Sequence, residues 1–426
     1  MEVRDPIHGA IELSPSEMAI LDDPWVQRLR SIRQMGFSQM AFPGAMHTRY
    51  VHSLGVMHLA GQAFDTALRH TAFSTPTMRD RLRTVVRIAA LCHDLGHPPF
   101  SHCMEFSMPH VRELNLGWLE PGDRRATHED YTIAILEHSS LRAAIGAHFD
   151  FTARHVASLV CPELSPGDDF FLDGGLDYRR VLSQIVSSEL DVDRLDYLPR
   201  DAVYSGARYG QVDVGWLLGN LTTWTDDDRV NLALEGRAVY AFDHFLLARH
   251  HMFLMVYFHH KSVVYEEMLR RHVGATDEAP YALPGDLDRY LHADDVGLQA
   301  DLRRSSEPWA RRIVEHRPFR RVFERHGSPD NVDLKTMTDR LEEAGIATIA
   351  AASTGRLSRY AEYGAKRRNA DPIYVLERTK GMPVERVRPL AQVSEVFERY
   401  ADERVIGRIY VDSNDLEKAR TVIDAS

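Results

Sequence analysis

Apolar residues recur at helical spacing through most of the first 275 residues of this 426-residue chain. In "TRYVHSLGVMHLAGQAFDTALRH", Val51, Leu54, Leu59, Ala63 and Leu68 share one face. In "MRDRLRTVVRIAALCHDLG", Leu82, Val85, Val86, Ala89 and Cys92 do the same. Each pattern predicts a helix with one buried stripe. "SPSEMAILDDPWVQRLRSIRQM" carries two helix starts, with Ser14 or Ser16 as one cap and Asp22 or Asp23 before Pro24 as the other. "THEDYTIAILEHSS" and "LRAAIGAHF" predict two further helices. "VLSQIVSSELDVDRLDYLPRDAVYSG" predicts a long helix ending near Pro199, and "AVYAFDHFLLARHHMFLMVYFHHKSVVYEEMLRRHV" the longest of all.

The pattern changes after about residue 275. "TDEAPYALPGD" is a turn-rich connection. Helical spacing resumes through "WARRIVEHRPFRRVFERHG". Beyond about residue 345, "DPIYVLER" and "RVIGRIYVD" read as strands, with a helix "AQVSEVFERYA" between them and a solvated loop at "AKRRNAD". The expected fold class is mainly α, a helical core with a small C-terminal α+β appendage. The expected division is a core over 1–275, a helical extension over 276–345 and an α+β region over 346–426. No 20–50-residue period repeats, which excludes a solenoid.

Composition narrows this picture. An apolar share of 44% and a charged share of 27% suit a globular chain. Lys plus Arg number 51 against 62 acids, a net charge of −11, which argues against nucleic acid as the main partner. The three cysteines, Cys92, Cys103 and Cys161, imply no disulfide framework, and a reducing cytoplasm is the expected compartment. The opening "MEVRDPIHGAIELSPSE" has no secretory pattern, and no run of about eighteen uncharged apolar residues exists, so no membrane span is expected.

Chemistry concentrates in "LCHDLGHPPFSH", where His93 and Asp94 end an apolar helix and Gly96, Pro98 and Pro99 stop it. A charged aspartate there is costly unless paired or coordinated. A neighbouring imidazole and carboxylate supply two ligands, and a first-row divalent metal needs about four to six. His52, on the apolar side of its helix, and Asp193, at the end of a helix rich in Val, Leu and Ile, are candidates for the rest. His97 and His102 follow the turn and predict a lined cavity.

The ordered set "DPIHGAIELS", "QRLRSIRQMG", "FPGAMHTRYVHSLGV", "LCHDLGHPPFSH", "THED" and "DVDRLDYLPRD" resembles the HD-domain deoxynucleoside triphosphate triphosphohydrolases, most of all the catalytic part of their SAM-and-HD-domain branch. The resemblance runs from about residue 3 to 270. It implies His52, His93, Asp94 and Asp193 as ligands of one divalent metal (Mn, Fe, Ni, Co or Zn), with Mg accompanying the nucleotide phosphates. Such a cation would polarise the α-phosphate and lower the pKa of a coordinated water. The implied products are a deoxynucleoside and intact triphosphate.

The same resemblance implies phosphate contacts at Arg49, His97 and His102, with His102 as a donor to the leaving oxygen or a simple phosphate contact. It implies a catalytic His128–Glu129 pair, with Glu105 standing where the family has an aspartate. Gln34 and Asp201 match groups on the 3′-hydroxyl, and Tyr197 matches a tyrosine packed against deoxyribose. Arg194 stands where the branch has lysine, so a planar fork replaces a point charge. Arg249 and Tyr257 keep the spacing of groups that touch phosphate and sugar or base. Asp22, Gln27 and Arg30 match contacts to an activating nucleotide, while Met1 and Arg4 depart from that pattern. The partners implied are a deoxynucleotide, a nucleotide activator and further copies of the chain in a dimer or tetramer. Two alternatives stay open: hydrolysis of another nucleotide phosphate ester, and a non-catalytic nucleotide-binding regulator.

Overall fold

The computed structural model describes residues 1–117, 123–274, 283–328, 332–355, 372–378, 384, 386–396 and 404–425. The chain begins with an antiparallel hairpin, β1 (Glu2–Asp5) and β2 (Gly9–Glu12). Two short helices follow, α1 (Pro15–Leu21), capped by Ser14, and α2 (Pro24–Arg28), capped by Asp23. The core is built on α3 (Arg49–Ala67) and α4 (Pro76–Cys92). Both stripes read from the sequence are buried here: Leu54, Leu59, Ala63, Leu82, Val85 and Val86 are each at most 2% exposed. Around this pair lie α5 (His128–His138), α6 (Ser140–His148) and α7 (Ala153–Val160). Short strands β3 (Leu172–Asp173) and β4 (Leu176–Asp177) lead into α8 (Arg179–Val186).

The long helix expected from Val181 to near Pro199 is two helices, the second continuing to Ser205. The chain breaks at Ser187–Asp191, where Asp191 caps α9 (Val192–Ser205) through the amide of Arg194. α9 then runs through Pro199 to Gly206, which closes it in the left-handed conformation. Asp193 therefore sits in the first turn of α9 rather than at a helix end. After α10 (Val214–Gly219) comes a hairpin that the sequence reading did not anticipate, β5 (Leu221–Asp226) and β6 (Arg229–Glu235). The longest expected helix is also divided. α11 (Val239–Met252) passes into a π-helical turn at Phe253–Tyr257 before α12 (His260–Gly274). Such wide turns re-aim side chains, and this one ends on Tyr257.

Three helices follow, α13 (Leu287–Tyr290), α14 (Asp295–Arg304) and α15 (Pro308–Val314). "RRVFERHG", expected as helix, is strand β7 (Arg320–Gly327), because it pairs with a C-terminal strand. Then come α16 (Lys335–Glu343), β8 (Thr348–Gly355), β9 (Tyr374–Glu377), β10 (Arg386–Pro389), β11 (Arg404–Val411) and α17 (Leu416–Asp424). β7, β11 and β8 form one antiparallel sheet in that order, while β9 pairs in parallel with β6. The two expected C-terminal strands are thus β9 and β11. The expected loop over 365–371 lies outside the described residues, as do residues 397–401 of the expected helix over 391–401. The architecture is mainly α with a small sheet-containing C-terminal region. Among the described residues no helix is long and apolar enough to cross a membrane.

Candidate metal centre and its cavity

α3, α4 and α9 converge on one buried spot. α3 brings His52, the C-terminal cap of α4 brings His93 and then Asp94, and the first turn of α9 brings Asp193. His52 Nε2 lies 3.0 Å from Asp193 Oδ1 and 3.6 Å from Asp94 Oδ2. His93 Nε2 lies 3.3 Å from Asp94 Oδ1 and 3.6 Å from Asp193 Oδ1. Metal–donor bonds of about 2.0–2.2 Å place adjacent donors about 3.0–3.5 Å apart; His52, His93 and Asp94 come close enough together to share one cation, and Asp193 Oδ1 stands beside both imidazoles. Neither imidazole Nε2 makes a directed hydrogen bond, although both are buried. Buried polar atoms are seldom left so, and a cation would satisfy both.

The opposite ring atoms explain why these nitrogens point inward. His52 Nδ1 meets Asp196 Oδ2 at 2.7 Å, and His93 Nδ1 meets Ala90 O at 2.7 Å. With Nδ1–H donated outward, each Nε2 faces the cluster, where a cation would take the place of any proton it carries. Burial disfavours charge on His52, yet Asp193 and Asp196 overcome it and hold the imidazole up to about 10. Burial opposes ionisation of Asp94 as well, but Arg49, His93 and His97 keep it well below the usual carboxylate range. The spot is therefore rich in ionised carboxylate.

Asp196 was missed in the sequence reading. It is fully buried and faces three further groups besides His52: His8 Nε2 at 2.6 Å and Arg200 Nε and Nη2 at 2.8 Å each. Arg200 in turn reaches Asp5 Oδ2 at 2.8 Å. The N-terminal "DPIHG" is thus tied to His52 through Asp196. Gly55 makes room for this, since a Cβ there would lie 1.9 Å from Asp196 Oδ1. A carboxylate three residues after Asp193, one helical turn on, was the available signal.

A second group stands beside the first. Glu105 Oε1 is 2.5 Å from His128 Nδ1 and 3.0 Å from His102 Nδ1. His97 stacks on His128 with centroids 4.0 Å apart and touches Asp94 through Nε2 at 3.2 Å. Burial, Arg49 and His128 push the His97 imidazole well below its ordinary value, which keeps it neutral. Burial opposes charge on Glu105, but His102 and His128 hold it far below the usual range. These hydrogen bonds account for the cluster without a second cation. Gly96 lets the backbone of α5 approach, because a Cβ there would lie 2.0 Å from His128 O.

Both groups open on a cavity of about 620 Å³. Arg49, Arg194, Arg249, Gln34, Tyr197, Asp201, Tyr257 and Glu129 all line it. Arg49 is pinned to Asp94 at 2.5 Å and to Ser101 Oγ at 2.8 Å. Arg194 is paired with Asp191 and Ser188 O, so its charge is already answered. Asp201 receives Tyr257 OH at 2.8 Å and faces His47 Nε2 at 2.7 Å. Gln34 Oε1 is a buried acceptor with no protein donor. Asp22, Gln27 and Arg30 do not line the cavity. Gln27 Oε1 accepts from Arg30 Nε at 2.8 Å, and Arg30 lies over the Tyr50 ring at 3.6 Å.

The family model for the HD domain matches residues 49–201, and the one described as HD associated region matches residues 212–355. An uncharacterised protein of Methanocaldococcus jannaschii is 27% identical over 321 residues, 75% of this chain and 59% of that protein. Human deoxynucleoside triphosphate triphosphohydrolase SAMHD1 is 34% identical over 220 residues, 48% of this chain and 33% of that protein. The chain thus spans between a third and about three-fifths of these curated relatives. A hypothetical protein from Aquifex aeolicus shares the fold at TM-score 0.74 and 23% identity over 99% of both chains. A phosphohydrolase from Bacteroides thetaiotaomicron does so at TM-score 0.68 and 21% identity, over 97% of this chain and 99% of that one.

Proposed function

We propose, for a chain that belongs to the HD-domain phosphohydrolase family, that it hydrolyses deoxynucleoside triphosphates to a deoxynucleoside and inorganic triphosphate. One observation carries this reading. The same cavity is lined by His93, Asp94 and Asp193, with His52 buried against them, by arginines and histidines suited to phosphate, and by the pair Gln34 and Asp201 suited to a sugar hydroxyl. The 34% identity to a protein named as a deoxynucleoside triphosphate triphosphohydrolase supports it.

In this reading His52, His93, Asp94 and Asp193 hold a divalent cation, which supplies positive charge at the α-phosphate and activates water. Arg49, fixed by Asp94 and Ser101, presents its guanidinium to phosphate oxygens without reorganising. The unpaired Gln34 Oε1 and the Asp201 carboxylate accept from the 3′-hydroxyl, and Tyr197 packs against the sugar. Arg249 and Tyr257 close the cavity. Water oxygen bonds to the α-phosphorus, the bond from phosphorus to the 5′ oxygen breaks, and that oxygen takes a proton. Glu105 grips Nδ1 of both His102 and His128, so each ring offers its other nitrogen to the reacting phosphate. His102, 65% exposed at the cavity mouth, is the group assigned to the leaving oxygen, with Glu129 beside His128. A regulatory nucleotide would meet Asp22, Gln27 and Arg30, which lie in α2 and on either side of it. Product analysis with each dNTP tests the reading, and orthophosphate without triphosphate would refute it.

A further inference from the structure

The loop from Leu95 to Ser101 carries His97 into the cavity, and its local backbone bonds, His97 N to Asp94 O at 3.2 Å and Ser101 N to Pro98 O at 2.9 Å, leave the carbonyls of Leu95, Gly96 and His97 to partners from elsewhere. Pro98 and Pro99 contribute no amide donors. Phe100 and Ser101 are both left-handed, at φ 54° and 57°. Residues other than glycine keep that conformation only where the surroundings enforce it.

Besides Thr132 and Arg49, which hold Gly96 N and Ser101 Oγ, three buried side chains from outside the loop supply the enforcement. Arg28 Nη1 donates to Leu95 O at 3.3 Å and to His97 O at 3.0 Å, while Nε and Nη2 donate to Ala293 O at 3.1 and 2.6 Å. Tyr290 OH donates to Gly96 O at 2.8 Å, and the Arg28 guanidinium lies 4.6 Å over its ring. Asp295 Oδ1 accepts from Phe100 N at 2.7 Å and Oδ2 from Arg33 N at 3.1 Å. Three successive loop carbonyls and one loop amide are thus fixed by these three side chains, and a second amide, Gly96 N, donates to Thr132 Oγ1 at 3.0 Å. Tyr290 and Asp295 lie outside the HD domain match, within the region matched as HD-associated.

We propose that Arg28, Tyr290 and Asp295 form a positioning clamp that sets the His97 loop for catalysis, and that supplying Tyr290 and Asp295 to it is a task of the HD-associated region. The inference rests on the phosphohydrolase reading of His97. The clamp grips backbone and leaves the substrate to other groups. His97 needs such aim because its ring must keep both its 3.2 Å contact to Asp94 and its stack on His128. Freeing Gly96 O would let the peptide before His97 rotate and swing the ring off both.

The molecule contains its own control. Tyr131 stacks on Tyr290 with centroids 4.0 Å apart but sends its hydroxyl to Pro284 O, away from the loop. Tyr290→Phe and Tyr131→Phe therefore each delete one hydroxyl from the same ring pair. We would measure kcat and KM on the dNTP turned over fastest, the melting temperature, and deuterium exchange in the peptide 94–104. Tyr290→Phe should lower kcat about tenfold with KM within about twofold, and should raise loop exchange. Tyr131→Phe should match wild type in kcat and exchange, with a melting temperature close to that of Tyr290→Phe. The clamp is overturned if the two variants have the same kcat and the same loop exchange. A wild-type protein releasing no triphosphate would defeat the dNTP reading alone. Loop exchange would still decide the clamp, an increase in Tyr290→Phe supporting it and no change overturning it.

Discussion

His52 Nδ1 lies 2.7 Å from Asp196 Oδ2, and both side chains are fully buried. This contact fixes which nitrogen of the ring faces the cluster, and so leaves Nε2 of His52 for the proposed metal. Asp196→Asn removes the charge that orients the ring and answers Arg200. Affinity for the divalent cation should fall about 10–100-fold, read by competition with a chelator. Stability should fall by about 3–5 kcal/mol, because Arg200 is left buried with Asp5 alone. Unchanged metal affinity would show that Asp196 serves the fold only.

Gly55 tests the same relationship from the other side. A Cβ there would meet Asp196 Oδ1 at 1.9 Å and Arg200 Nη2 at 2.4 Å. Gly55→Ala should destabilise by about 1–3 kcal/mol in urea unfolding, despite the higher helix propensity of alanine. A stabilised variant would mean that the network relaxes freely.

Glu105 bridges His102 and His128, and its charge is the testable part of that bridge. Glu105→Gln keeps the size and loses the charge. We expect kcat to fall about 100-fold with bound metal unchanged. Steady-state kinetics with metal analysis on the same sample would check this. Full activity in Glu105→Gln would leave the two imidazoles acting without the carboxylate.

Asp295 gives a pH signature. Burial outweighs its two backbone amides and Arg33 and pushes the carboxyl up to about 6, from an ordinary 3.8. Between those values the folded chain holds a proton that the unfolded chain has released. This contribution is therefore destabilising as pH rises through the window, by up to about 3 kcal/mol, and is constant above it. Asp295→Asn cannot titrate. The stability of wild type relative to Asp295→Asn should fall between pH 3.8 and about 6 and then level off, as read by denaturant unfolding. A difference independent of pH would contradict the assignment.

The local helices were legible because their caps and apolar stripes are local facts. Ser14, Asp23 and the Leu82–Val85–Val86 stripe needed no tertiary knowledge. His93 and Asp94 announced themselves as an ionisable pair at a buried helix end. The interruptions at Ser187–Asp191 and Phe253–Tyr257 were hidden inside continuous apolar spacing, and β7 looked helical because its partner β11 lies about 80 residues away in sequence. Asp196, His8 and Arg200 escaped notice for the same reason: their meaning arises only when the N-terminal hairpin and α9 meet behind His52.

Product analysis addresses the central claim most directly. Purified protein would be incubated with each dNTP and a divalent metal, and the products resolved by anion exchange. The account predicts deoxynucleoside and intact triphosphate in equal amounts, abolished by a chelator and in His93→Ala. Pyrophosphate or orthophosphate as the first product, or triphosphate release that survives both treatments, would contradict it.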